Sequence, residues 1–148
     1  MAAQCATDTG NNPLWDYALG VYSLPGMANE LLRLQDTQDC DVLWLLTALW
    51  LAEKGVTLTA ADLVNTEYDT CRRERILPLR AQRRACDKHH QRDEYDALKT
   101  AELDAEREGL GLLFQALSDR PQDGGGRQHN LSLLTSDYQP LLALLEHH

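Results

Sequence analysis

The chain has one phenylalanine, two methionines and only 6% aromatic residues, and it lacks an apolar stretch long enough to cross a bilayer. Its longest apolar run, Val42 to Ala52, is broken only by Thr47 and is about half the length of the roughly 20 residues a spanning helix needs. Positive charge is also scarce: 14 Lys and Arg face 23 Asp and Glu, a net charge of −9, which argues against a general polyanion binder. Met1 to Asn12 is polar, with neither a basic start nor an apolar stretch, so no signal peptide is expected and the protein is read as cytoplasmic. Cysteine appears four times, at Cys5, Cys40, Cys71 and Cys86, never as a CxxC pair. On one helix, Cys71 and Cys86 would lie roughly 22 Å apart, too far for a disulfide, and free thiols are expected. Missing too are a glycine-rich phosphate loop, an HExxH pair and a Ser/His/Asp ordering. The expectation is therefore no catalytic residue and no cofactor.

What is present describes a helical domain. Hydrophobic residues at 43% and charged residues at 25% are close to the globular average, and a chain of 148 residues supports one self-sufficient core. The pattern is all-α, a single-domain irregular bundle of about five helices with a central apolar helix and a kinked basic helix. Residues 1–12 read as a flexible lead, 13–117 as the helical domain, 118–130 as a mobile glycine-rich loop and 131–144 as a C-terminal docking segment. Leu145-Glu146-His147-His148 resembles the start of an expression tag and is set aside.

Within the domain, Asn12 followed by Pro13 starts one helix, and Ser23 with Pro25 starts a second. Asp41 caps a third, Val42 to Lys54, apolar on every side and stopped by Gly55. Thr59 to Asp62 forms a capping box. A longer helix from about Glu67 to Lys88 carries Pro78, which should kink it or end it near Leu77. The last long helix runs from Asp93 to about Leu117, weakened by Gly109 and Gly111. No segment alternates as a strand does.

The charge distribution is the most informative feature. Arg72, Arg73, Arg75, Arg80, Arg83, Arg84 and Lys88 are seven of the 14 cationic residues; their window, 72–88, is net +5. At regular helical spacing all but Arg75 fall within an arc of about 160°. Such a flank suits an acidic protein or a phosphate-bearing partner, through bidentate guanidinium contacts. The alternative use lies next to it in sequence. Seven acids between Asp93 and Glu108, set against Lys99 and Arg107, would pair with these cations if the two helices pack antiparallel. A second candidate site is an aromatic pocket built from Trp15, Tyr22 and Trp50 and closed by the Pro25-Gly26 corner. Nucleic-acid binding ranks third, because no aromatics interleave with the arginines. Cys86 with His89 or His90 makes at most half of a metal site, and no metal is expected.

Pro13-Leu14-Trp15-Asp16-Tyr17-Ala18-Leu19, Tyr22, Pro25-Gly26, Leu34-Gln35-Asp36, Asp41-Val42 and Leu49-Trp50-Leu51-Ala52 resemble the uncharacterised proteobacterial family DUF2390. Arg73, Pro78-Leu79-Arg80, Arg83-Arg84 and Lys99-Thr100-Ala101-Glu102-Leu103 follow the same pattern. Leu43 departs from it, since family members often carry Asn soon after the Asp-Val pair. The resemblance implies a small bacterial cytoplasmic helical protein and no particular chemistry. The sequence alone thus points to a non-enzymatic interaction protein, with the aromatic pocket of a small-molecule binder or enzyme as the alternative.

Overall fold

The computed structural model describes residues 12–146, and these are helical without a strand. Of the expected flexible lead only Asn12 lies among them, and His147 and His148 also fall outside. The helices are α1 (Pro13–Tyr22), α2 (Met27–Gln38), α3 (Val42–Glu53), α4 (Thr66–Cys71), α5 (Leu77–Ala85), α6 (Arg92–Leu117), α7 (Arg127–Ser132) and α8 (Gln139–Glu146). A π-turn, Arg72–Ile76, joins α4 to α5 into one rod, so seven helical bodies stand where about five were expected. The two additional bodies come largely from the C-terminal third.

Local chemistry sets most of the boundaries. Asn12 caps α1 by accepting from the Trp15 N–H at 3.1 Å, and its amide also donates to the Arg107 carbonyl at 3.3 Å, which ties the start of α1 to α6. Asp41 caps α3 through the Leu43 N–H at 3.0 Å. The capping box at Thr59 and Asp62 forms, over a single 3-10 turn. Ser23 departs from expectation, because it closes α1 rather than opening α2: its N–H reaches Leu19 and its hydroxyl the Gly20 carbonyl. α2 opens instead at Gly26, whose φ of 83° lies in the left-handed region that a side chain resists.

α3 packs against α1, α2, α6 and α7, and every residue from Leu43 to Leu51 is buried. Even Thr47 is satisfied there, its hydroxyl donating to the Leu43 carbonyl at 2.7 Å. Tyr68 of α4 is fully buried beside Trp44, edge to face, and its hydroxyl donates to Asp41 at 2.6 Å.

Pro78 does not break the rod. A proline in helix removes the bond to the carbonyl four residues back and crowds it. The π-turn absorbs both effects by widening the backbone, with the Leu77 N–H reaching Arg72 five residues back. The rod ends at Ala85, three residues before the expected Lys88, because Cys86 turns extended.

The glycine-rich stretch expected to be mobile is fastened down. The N–H groups of Asp123, Gly124 and Gly125 converge on the Gly55 carbonyl at 2.9–3.1 Å. Gly125 lies so close to the backbone of Val56 that a Cβ there would sit 2.2 Å from it. α7 starts at Arg127, inside the expected loop, and brings Asn130 into the core. The Asn130 side chain accepts from the Leu58 N–H at 2.8 Å and donates to the carbonyls of Ala48 and Val56 at 3.1 and 3.0 Å. Three buried backbone groups thus share one amide. α8 packs on α2 and buries Leu141 and Leu145, so the residue set aside as tag belongs to the core cluster.

Replacing Asn130 with Ala strands those three groups, each costing about 1–3 kcal/mol when left unpaired. Urea unfolding should show a loss of about 3 kcal/mol; a loss under 1 kcal/mol would mean that the Asn130 bonds contribute little to the fold.

Candidate functional site

The basic rod and the long acidic helix meet along an antiparallel seam. Arg75 pairs with Glu108, Arg80 with Glu106 and Glu102, and Arg83 with Glu102, so partner numbers fall as arginine numbers rise. At the centre is Glu102, with a side chain only 8% exposed. Its Oε2 accepts from Arg80 Nε at 3.1 Å and its Oε1 from Arg83 Nε at 2.5 Å. Arg80 uses its other arm on Glu106, Nη2 to Oε2 at 3.2 Å. A carboxylate this deeply placed needs such partners, because an unpaired buried charge is heavily penalised.

The six cations expected on one flank are therefore dispersed. Regular helical spacing fails across the π-turn, whose wider turn changes the phase of everything after it. Arg72 points to Asp41, Nε to Oδ2 at 3.1 Å, whereas Arg73 stays in solvent beside Glu74. Arg80 and Arg83 turn inward to α6, and Arg84 reaches Asp36 of α2 at 3.3 Å. Lys88 lies beyond the rod, with its ammonium 5.7 Å from the centre of the Tyr95 ring. Each of the five arginines has a carboxylate of its own chain within reach.

Beside the seam is a cleft of about 390 Å³, a size typical of small-molecule sites. Trp15 and Tyr22 of α1 form one wall and Leu43 and Leu46 of α3 another. The floor is charged: Arg80, Arg83, Glu102 and Glu106, with Lys99 nearby. Leu19, Leu32 and Leu103 edge it and remain partly in solvent. Trp15 and Tyr22 thus line one cleft, and Arg80 and Arg83, which the sequence assigned to a different site, line it with them. Trp50 does not. It packs on Phe114, centroid to centroid 5.7 Å, with the Lys54 ammonium 4.6 Å from its ring centre. The Pro25-Gly26 corner does not close the cleft either, since Gly26 faces Leu144 of α8.

The two carboxyls of the floor titrate in opposite directions. Burial would raise Glu102, but hydrogen bonds from Arg83 and Arg80 outweigh it and hold the group below its ordinary value. Glu106 is raised, first by burial and then by the negative charge of Glu102, against the weaker pull of Arg80. Burial, and then Glu106, likewise raises the Tyr22 phenol. The opposite directions come from their surroundings: Glu102 accepts from two guanidinium groups, Glu106 from one.

Sequence reasoning missed Glu102 and Glu106 as site members, although the signal was present in acids spaced four apart opposite a basic helix. Cys40, Cys71 and Cys86 are free thiols. Cys86 contacts the Gln91 carbonyl and His90 pairs with Asp87; among the described residues no cluster of three or more ligating side chains could hold a metal. No helix among them is long and apolar enough to cross a membrane.

A family profile described as "Protein of unknown function (DUF2390)" matches residues 13–113. The chain belongs to the DUF2390 family. Comparison with curated proteins and with solved structures found no match. The DUF2390 span runs from the first residue of α1 into the last turn of α6, and so holds every residue lining the cleft. The glycine strap, α7 and α8 lie beyond it.

Glu102 should be the most costly charge to remove. Glu102→Gln leaves two half-buried guanidinium groups short of a partner and should cost about 3 kcal/mol at neutral pH. Its lowered folded-state value means that its stabilisation is complete above the ordinary glutamate range, about 4.3, and is lost as pH falls through the folded value. Urea unfolding across pH should therefore show a shallower acid-side decline in the variant than in the parent. An unchanged acid-side slope would show that Glu102 is not held ionised by the two arginines.

Proposed function

We propose that this DUF2390 protein is a small-molecule binding protein, and that its site is the cleft between α1, α3, the basic rod and α6. One observation carries the reading: four of the large apolar side chains left in solvent gather at one opening above a charged floor. Leu19 is 48% exposed and Leu103 49%, and Tyr22 and Leu32 stand beside them. Apolar surface exposed around a cleft costs free energy unless something covers it. Convergent charged groups beneath such a rim give a ligand both affinity and orientation. Glu102, locked by two arginines, serves here as a fixed charge that holds Arg80 and Arg83 in place under the opening. Three free thiols accord with a reducing, cytoplasmic setting.

Docking of an acidic or phosphate-bearing partner on the arginines is the second reading. It now rests on Arg73, Arg84 and Lys88, because Arg73 and Arg84 hold their carboxylates in largely exposed pairs that a partner could displace at about 0.2–1 kcal/mol each.

The test is saturable binding of anilinonaphthalene sulfonate, a fluorescent apolar anion. Leu19→Glu and Leu103→Glu should each weaken binding at least about tenfold, roughly the effect of 1.4 kcal/mol. Val64→Glu alters an apolar residue that is 79% exposed and outside the cleft, and it should bind as the parent does. Equal loss in all three variants, or in none, would remove the cleft as the site.

A further inference from the structure

Arg80 divides its guanidinium between two carboxylates of unequal standing. Glu102 holds Nε and is itself held by Arg83, whereas Glu106 has only Nη2 of Arg80 among the described residues. Glu106 is also the less deeply placed of the two, with 22% of its side chain exposed against 8% for Glu102. An anion entering the cleft therefore meets one guanidinium arm whose present partner is replaceable.

The surroundings of Glu106 indicate what happens to it on replacement. The basic rod presents Arg80 and Arg83 to it, α1 presents the Tyr22 hydroxyl, and its own helix presents Glu102 one turn back and Lys99 farther along the cleft. α3 offers only Val42, Leu43 and Leu46, and α2 only Leu32 and Gln35. Relieved of Arg80, Glu106 would be left partly buried beside the Glu102 charge one turn away on the same helix, and both effects favour the neutral acid. Before replacement, burial and Glu102 already bias it towards that form.

We infer that the cleft takes a carboxylic acid with an apolar body, whose carboxylate replaces that of Glu106 on Arg80 while Glu106 takes up one proton from solution. The exchange is one carboxylate for another, so the charge facing Arg80 and Arg83 is unchanged. The proton that Glu106 gains neutralises the carboxylate displaced. The apolar body lies against Leu19, Leu103 and the Trp15 and Tyr22 rings. This inference depends on the cleft being a ligand site.

The sign of the linkage follows. A simple alkyl carboxylate ionises like a free glutamate, at about 4.3, and so stays charged at neutral pH. In the complex Glu106 has lost its guanidinium and titrates higher than in the free protein. Between those two values binding takes up a proton, and affinity rises as pH falls, by as much as tenfold per unit.

The experiment is calorimetric titration of the full chain with octanoate, in two buffers of different protonation enthalpy, with octanol as the neutral control. The result expected is fractional to complete uptake of one proton with octanoate and none with octanol. Octanoate affinity should rise with falling pH in the parent, and Glu106→Gln, an isosteric change, should abolish both the uptake and the pH slope. Binding of octanoate without proton uptake, uptake that persists in Glu106→Gln, or equal affinity for octanoate and octanol would each overturn the inference. Failure of octanoate to displace bound anilinonaphthalene sulfonate would also overturn it and leave the cleft as a site for another ligand. Absence of dye binding altogether would defeat the cleft itself.

Discussion

A buried carboxylate with a guanidinium on each side, Glu102 between Arg80 and Arg83, is the interaction on which the arrangement of the basic rod and α6 depends. Taking three charged groups out of water is expensive, and only good geometry with each lone pair in use offsets the cost. That requirement fixes the register of the seam: sliding the rod by one residue would take both arginines off Glu102 together. The cleft follows from it. Long charged side chains span the gap between the rod and α6 where short apolar ones would close it, and the α1 aromatics then wall a space with a polar floor.

The same interaction explains why a chain of net charge −9 carries a segment of net +5. Most of that positive charge answers acids on α6, α2 and the start of α3, inside the same molecule. Arg72 is a clear case. It joins Tyr68 on Asp41, the residue that caps α3, and so links the basic rod to the most apolar helix of the fold. A helical wheel displays such residues as a docking flank, whereas packing makes them the mortar between helices.

Much of the helical framework was legible from local chemistry. Asn12, Asp41, Gly55 and the Thr59-Asp62 box act as their residue types demand, because caps are decided within four residues of chain. The π-turn was not legible, since the backbone had two ways to accommodate Pro78, and the packing of α4, the π-turn and α5 alike against α6 favours the continuous one. Its consequence, the change of phase that separates Arg72 and Arg73 from Arg80 and Arg83, was hidden with it. Nor could composition reveal the strap: three glycines read as looseness until Val56 and Gly55 are placed against them. The sequence named Trp15, Tyr22 and the inward arginines but put them in separate candidate sites, because only the fold brings them to one cleft. Trp50 looked equivalent to Trp15 in sequence but packs on Phe114, away from the cleft.

The account is tested most directly by the arginine side chains themselves. In a nitrogen-15 spectrum of the Nε–H groups, Arg80 and Arg83 should give sharp, slowly exchanging signals that shift when an apolar carboxylate is added, while Arg73, exposed and paired with the equally exposed Glu74, exchanges fast and stays in place. Rapid exchange at Arg80 and Arg83, or shifts that appear at Arg73 and not at Arg80, would contradict it.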